Sequence, residues 1–390
     1  MPDAQTTSGE TVTAFKPGLE GVVAAETRLS HVDGLQGVLI IAGYPLEELA
    51  GNATYEEAAY LLWNGALPNR TQLDAFRADL AARRELPKAT LDLLAAVAVE
   101  RRPTMDALRI AAGTLDLGGA PGENGQADKA LAAQLLARIP TAVAAYWRLL
   151  QGESPISPDP SLSHAANYLY MLTGRRPSDA ATRGLETYLN TVIDHSLNAS
   201  TFAARVIIAT QSDLVSAVTG AIGALKGPLH GGAPGPALDM VFEIGTADRA
   251  EAYLRAKLDQ GERLMGFGHR IYKVRDPRAD VLAEAAKRMF ADADNLDLYR
   301  LAKSVEQTAL RLLEEYKPGR NLQTNVEFYT ALVLHGLDLS TDLFTPTFAM
   351  GRAAGWIAHC FEQLATGRII RPASRYTGRI DGVWTPIDQR

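Results

Sequence analysis

Apolar positions in this chain recur mostly at spacings of three and four, the rhythm of a helix with one buried face. Residues 1–17 lack that rhythm; they are rich in Thr, Ser, Gly and Glu and read as a flexible tail. The turn Asp33-Gly34 and the run Val38-Leu39-Ile40-Ile41 then predict a small β-hairpin, the one good β signal in the sequence. Thr54 and Glu57 have the spacing of a capping box, and their helix should stop near Gly65 and Pro68. Leu73, Phe76 and Leu80 mark one face of the next helix. Similar patterns predict helices over 89–99, 127–150, 163–173, 179–194, 202–224 and 236–244. Others fall over 248–259, 278–291, 298–316, 326–336 and 346–364. Pro and Gly punctuate the series, and Gly118–Gly125 reads as the most flexible internal loop. Many helices with short breaks imply an all-α fold. Some of its helices should be wholly buried, as the Ala-rich run Ser216–Ala224 suggests.

Bulk properties narrow the function. The 390 residues are 47% hydrophobic and 22% charged, as in an ordinary soluble protein with a large core. A net charge of −6 argues against a general nucleic-acid binder. It leaves room for anionic substrates, because a local cluster of Arg and His can oppose the global sign. The single cysteine, Cys360, cannot form an internal disulfide, and its apolar setting suggests a buried structural thiol. The N-terminus has no basic segment followed by an apolar one, so no signal peptide is expected. No run of about 18 uncharged apolar residues suggests a membrane helix. A cytoplasmic location is therefore expected. No His-Glu-x-x-His, Cys-x-x-Cys or carboxylate cluster points to a metal, and no Gly-x-Ser-x-Gly elbow points to a hydrolase.

Candidate chemistry lies in five segments. His230 sits in Gly227-Pro-Leu-His-Gly-Gly232, where broken helix frees backbone amides. Such a histidine can be held close to a substrate carbonyl, with a nearby helix N-terminus favouring its neutral form, or it can be a turn residue without a role. His269 follows Met265-Gly266-Phe267-Gly268 and precedes Arg270, Lys273, Arg275 and Arg278. Gly-x-Gly lets backbone approach a flat or anionic group, and the cations suit phosphates and carboxylates; a solvated basic face is the alternative. The segment matches neither the dinucleotide nor the P-loop fingerprint, so no nucleotide cofactor is expected. His195, in Asp194-His-Ser-Leu-Asn-Ala-Ser-Thr201, is either a substrate anchor or a packing residue. Glu327, in Asn325-Val-Glu-Phe-Tyr329, is either a general base with a raised pKa or a first-turn glutamate. Arg352 follows the apolar run Leu343–Met350 and should be buried, which demands an anionic partner.

In order and in content these segments resemble the citrate synthase family, from about Gly18 to the C-terminus. Phe344-Thr-Pro346, Gly351-Arg-Ala-Ala-Gly-Trp356 and Arg371-Pro-Ala-Ser-Arg-Tyr376 extend the match. The resemblance implies a mostly helical homodimer with no cofactor beyond its substrates, oxaloacetate and acetyl-CoA. It implies a large domain, 18–232 plus 338–390, and a smaller one, 233–337, that closes over substrate. Glu327 would take a proton from the acetyl methyl group, His230 would donate to the thioester oxygen, and His269 would polarise the ketone. His195, Arg278, Arg352 and Arg371 would hold oxaloacetate, the last from across the dimer. Met265, Gly266, Phe267, Gly268, Arg270 and Lys273 would bind CoA. A 2-methylcitrate synthase using propionyl-CoA, or a weak paralogue that only binds these ligands, is the alternative. Two departures stand out. The family usually has Asp where Glu327 stands, and Asn-Glu where Pro234-Gly235 follow Ala233, a change expected to stiffen a turn.

Overall fold

A computed structural model describes residues 15–118, 128–231, 234–293 and 296–390. The expected flexible loop lies outside these from residue 119 on, as does the tail up to residue 14. The hairpin is present. Strand β1 (Ser30–Asp33) pairs antiparallel with β2 (Val38–Ile41), Ser30 opposite Ile41, and β3 (Tyr44–Pro45) adds to β2. Asp33 Oδ1 accepts from the amides of Leu35 and Gln36 at 2.9 Å each and so closes the turn.

The rest of the regular structure is helical. In the first half run α1 (Leu46–Ala50), α2 (Tyr55–Asn64), α3 (Arg70–Ala82), α4 (Lys88–Val99), α5 (Thr104–Ala112) and α6 (Lys129–Leu150). Next come α7 (His164–Thr173), α8 (Asp179–Val192), α9 (Ala199–Ile208), α10 (Leu214–Leu225) and α11 (Pro234–Ile244). The last are α12 (Ala250–Asp259), α13 (Pro277–Asp292), α14 (Leu296–Tyr316), α15 (Val326–Gly336) and α16 (Phe344–Thr366). The all-α expectation holds, and the Thr54–Glu57 capping box is formed.

Four expectations need correction. The helix expected over 202–224 is two, because Ala209–Ser212 turn and Asp213 caps α10. Helix α5 gave no periodic signal, having only two and a half turns after Pro103. Ser216–Ala224 is not wholly buried; Ser216 is exposed and Thr219, Gly220, Gly223 and Ala224 are partly so. The stretch after Ala233 is the first turn of α11 rather than a stiffened turn. Proline fits a first helical turn, where amides lack partners anyway.

The two longest helices, α6 and α16, contribute the most buried residues. Two glycines set how α16 meets α8. A Cβ at Gly351 would meet Val192 at 2.7 Å and Leu189 at 3.2 Å, and one at Gly355 would strike the carbonyl of Ile193. Without side chains there, α16 lies against the last turn of α8, which leads into His195. Helix α2 adds two donors to buried α16 carbonyls: Tyr55 to Met350 at 2.9 Å and Trp63 to Ala354 at 3.0 Å. Gly355→Ala should therefore cost about 1–3 kcal/mol by overpacking. Gly51→Ala, whose Cβ meets only Glu47 O at 3.5 Å, should change stability by less than about 0.5 kcal/mol. Urea unfolding of both variants checks the contrast; equal costs would contradict this packing.

Candidate active site

Three loops and two helices converge. The turn between α8 and α9 carries His195, the loop after α10 carries His230, and the segment before α13 carries His269. The N-terminus of α15 carries Glu327, and α16 carries Arg352.

His230 Nε2 faces the N-terminus of α9. The amide of Ser200 donates to it at 3.3 Å, and Ser200 Oγ lies 2.8 Å away. An amide can only donate, so Nε2 accepts and the ring proton sits on Nδ1. Trp356 Nε1 donates to Ser200 Oγ at 3.0 Å and steadies the arrangement. Burial, and then the positive charge of Arg352, push the His230 pKa down to about 4, so the ring is neutral at physiological pH.

His269 has the opposite tautomer. Its Nδ1 accepts from the amides of Ile271 and Tyr272, each at 3.1 Å, so Nε2 carries the proton. Burial and Arg278 lower its pKa to about 4 as well, against a smaller opposing effect of Asp276. Arg278 Nη2 lies 3.4 Å from that same Nε2. Two donors facing each other gain nothing until an acceptor oxygen comes between them. His195 completes the cluster: its ring is 6.2 Å from that of His269, and its Nε2 is 3.1 Å from Tyr272 Oη. Burial, then Arg278 and Arg352, hold His195 well below the usual histidine range.

Asp276 joins Arg278 to the helix of Glu327. It caps α13, receives Arg278 through both oxygens at 3.0 and 2.8 Å, and accepts the Val326 amide at 3.2 Å. Asn325 caps α15 by accepting from the Glu327 amide at 3.0 Å. Glu327 is partly open, yet burial raises its pKa to about 7; Arg278 opposes the rise and Asp276 adds to it. Arg352 is only 1% exposed. Its Nε donates to the Val192 carbonyl, its guanidinium lies 4.9 Å over the Phe348 ring, and its Nη1 has no partner. A buried guanidinium with a free donor is a ready receptor for an anion.

Arg371 is not in this cluster. It lies in the extended C-terminal arm after α16 and is exposed. The other six sequence candidates share one strip beside α15. Gly266 and Gly268 have φ of 89° and 80°, a conformation that glycine adopts without strain. Gly268 N donates to Gln323 O at 2.7 Å, and Asn325 N donates to Gly266 O at 2.9 Å. Met265 and Phe267 are half-buried, while Arg270 and Lys273 are exposed. Arg275, counted in the basic run, is consumed by Asp280 at 2.6 Å and Glu306 at 2.7 Å. Cys360 is buried, with a thiol pKa raised by burial to about 12, so it is inert.

The comparisons decide the family. Residues 18–373 match the family model described as citrate synthase, C-terminal domain. The chain belongs to the citrate synthase family. A citrate synthase of Haloferax volcanii is 41% identical over 382 residues, covering 96% of this chain and 99% of the relative. A 2-methylcitrate synthase of Mycobacterium tuberculosis is 38% identical, covering 93% and 91%. A citrate synthase of Thermoplasma acidophilum, solved as a ternary complex with carboxymethyl coenzyme A and oxaloacetate, superposes with a TM-score of 0.85 at 28% identity, covering 97% and 100%. The chain is thus an acyltransferase that condenses acetyl-CoA with oxaloacetate and water to give citrate and CoA.

Sequence reasoning missed four residues that shape this citrate synthase site: Ser200, Tyr272, Asp276 and Trp356. Ser200 and Trp356 lie within segments the sequence singled out, but only Asp276 has a local signal of its own, an Asp-Pro pair at the start of a helical pattern. A cavity of about 970 Å³ lies along α13, lined by Arg183, Thr187, Arg275, Glu284 and Met289 among others; His195, His230, His269, Glu327 and Arg352 are not among its lining residues.

The raised Glu327 pKa has a stability consequence. A folded-state value above the unfolded one stabilises the fold fully at pH below the ordinary carboxylate range, and the gain is lost as pH rises to about 7. Glu327→Gln removes that dependence. Relative to the parent it should gain about 2 kcal/mol between pH 4 and pH 8. Urea unfolding at both pH values checks this, and a constant difference would contradict it.

Proposed function

We propose that Glu327, His230 and His269 are the acid and base groups of the condensation. The observations behind this reading are a Glu327 carboxyl raised by burial to about 7 within the field of Arg278, which lies 3.4 Å from His269, and two imidazoles, His230 and His269, that are neutral and protonated on opposite nitrogens. Ionised Glu327 takes a proton from the acetyl methyl group. His230 donates from Nδ1 to the thioester oxygen as the enol forms. His269 donates from Nε2 to the ketone oxygen of oxaloacetate, the acceptor that its contact with Arg278 lacks. The enol carbon attacks the ketone carbon, and water then cleaves the thioester of citryl-CoA and releases CoA. His195, Arg278 and Arg352 hold the carboxylates, and Arg371 of a second copy adds a further cation. Gly266 and Gly268 let the Met265–Gly268 backbone approach the CoA adenine, with Arg270 and Lys273 beside its phosphates.

Closure and assembly belong to the same reading. Residues 233–337 act as the smaller domain, closing on 18–232 plus 338–390 and shielding the intermediate from water. The protein works as a homodimer. Supporting this, the arm after α16 leaves large apolar side chains uncovered, with Ile380 90%, Val383 87% and Trp384 76% exposed. Among the described residues no helix is long and apolar enough to cross a membrane, which supports a cytoplasmic place of work.

Thiol release from acyl-CoA in the presence of oxaloacetate tests the reading. The protein should turn over acetyl-CoA with kcat/KM roughly tenfold above that for propionyl-CoA, the scale that one methylene allows. Glu327→Gln should lower kcat by about 10³-fold. Glu327→Asp draws the carboxylate back by about 1 Å and should cost roughly 10²-fold. A gain on Glu327→Asp, with an inert parent that still binds both substrates, would favour the weak paralogue instead.

A further inference from the structure

Buried polar contacts run from the oxaloacetate residues to the root of the C-terminal arm. Asp194 is fully buried beside His195. Its Oδ2 accepts from Ser30 Oγ at 2.5 Å, and Ser30 Oγ accepts the Ser196 amide at 2.7 Å. These contacts pin a turn in which Ser196 has a φ of 51°, an uncommon value for a side-chain-bearing residue. His359, also fully buried, places Nε2 at 3.1 and 3.2 Å from the two Asp194 oxygens. Its Nδ1 lies 2.9 Å from Arg205 Nη1. A guanidinium only donates, so Nδ1 accepts and the proton on Nε2 points at Asp194.

Arg205 continues the chain outward. It donates to Glu362 Oε2 at 2.8 Å and Gln363 Oε1 at 3.0 Å. Gln363 Nε2 donates to the carbonyl of Arg368, at the start of the arm that carries Arg371. At the inner end, Asp194 is the principal group that offsets the desolvation of Arg352. Burial would raise the Asp194 carboxyl; His359 and the Ser30 hydroxyl outweigh it and hold Asp194 below the usual range, hence ionised.

We propose that His359 is a positioning residue for oxaloacetate, holding Asp194 and, through Ser30, the His195 turn in place, and joining them through Arg205 to the root of the arm. This rests on the reading that His195 and Arg352 hold oxaloacetate. His359 does not react; it acts through Asp194.

Calorimetric binding of oxaloacetate, with steady-state kinetics beside it, tests the proposal. His359→Phe fills similar space and removes both hydrogen bonds. It should raise the Kd and KM for oxaloacetate about tenfold or more, with kcat and the KM for acetyl-CoA within about threefold of the parent. His359→Gln carries an N–H and a carbonyl at nearly the spacing of the two ring nitrogens, and should restore oxaloacetate affinity to within about threefold. Should His359→Phe fail to fold, Ser30→Ala removes one contact to Asp194 and should weaken oxaloacetate binding several-fold. Equal losses for both substrates, a Gln variant no better than Phe, or unchanged oxaloacetate affinity in Ser30→Ala would each overturn the proposal. A parent protein that binds oxaloacetate but releases no thiol would count against the catalytic reading alone. One that binds no oxaloacetate would remove both.

Discussion

The site is organised around one costly feature, a guanidinium buried with a donor left over. Taking Arg352 out of water is expensive, and burial lowers its pKa to about 10, with Asp194 the main opposing charge. Nη1 stays without a partner. The fold accepts that cost because α16 is locked in place by Gly351 and Gly355 against α8 and by Tyr55 and Trp63 from α2. A looser helix would let Arg352 swing toward solvent. The neighbouring rings respond to the same charge: His230 is lowered by burial and then by Arg352, and His195 by burial, then Arg278, then Arg352.

The proposed acid and base groups are then set by backbone amides more than by other side chains. Ser200 N fixes one imidazole tautomer and the amides of Ile271 and Tyr272 fix the other. Such donors cannot titrate, so the proton positions hold across the pH range in which the rings are neutral. Glu327 sits where burial outweighs Arg278, on a helix end fixed by Asn325 and Asp276.

Much of this was legible in the sequence, for identifiable reasons. Long amphipathic helices, the Thr54 capping box and the Asp33 turn announce themselves through periodicity and short-range hydrogen bonding. His230 and His269 stood out because glycine and proline surround them. What could not be read depends on contacts between distant segments. Ser200 meets His230 and Trp356 only once α9, α10 and α16 have packed, and His195 meets Tyr272 only once the segment before α13 has folded against the turn after α8. The break between α9 and α10 was hidden by apolar residues on both sides of a short turn. The short α5 lacked enough turns to show a period, although Ala107, Leu108 and Ala111 are deeply buried.

The most direct test of the central claim is a crystal structure of the protein with oxaloacetate and a non-reactive acyl-CoA analogue. The account predicts a carboxylate oxygen of oxaloacetate within hydrogen-bonding distance of Arg352 Nη1, and the ketone oxygen between His269 Nε2 and Arg278. Oxaloacetate bound away from Arg352, with Nη1 still unpaired in the complex, would contradict it.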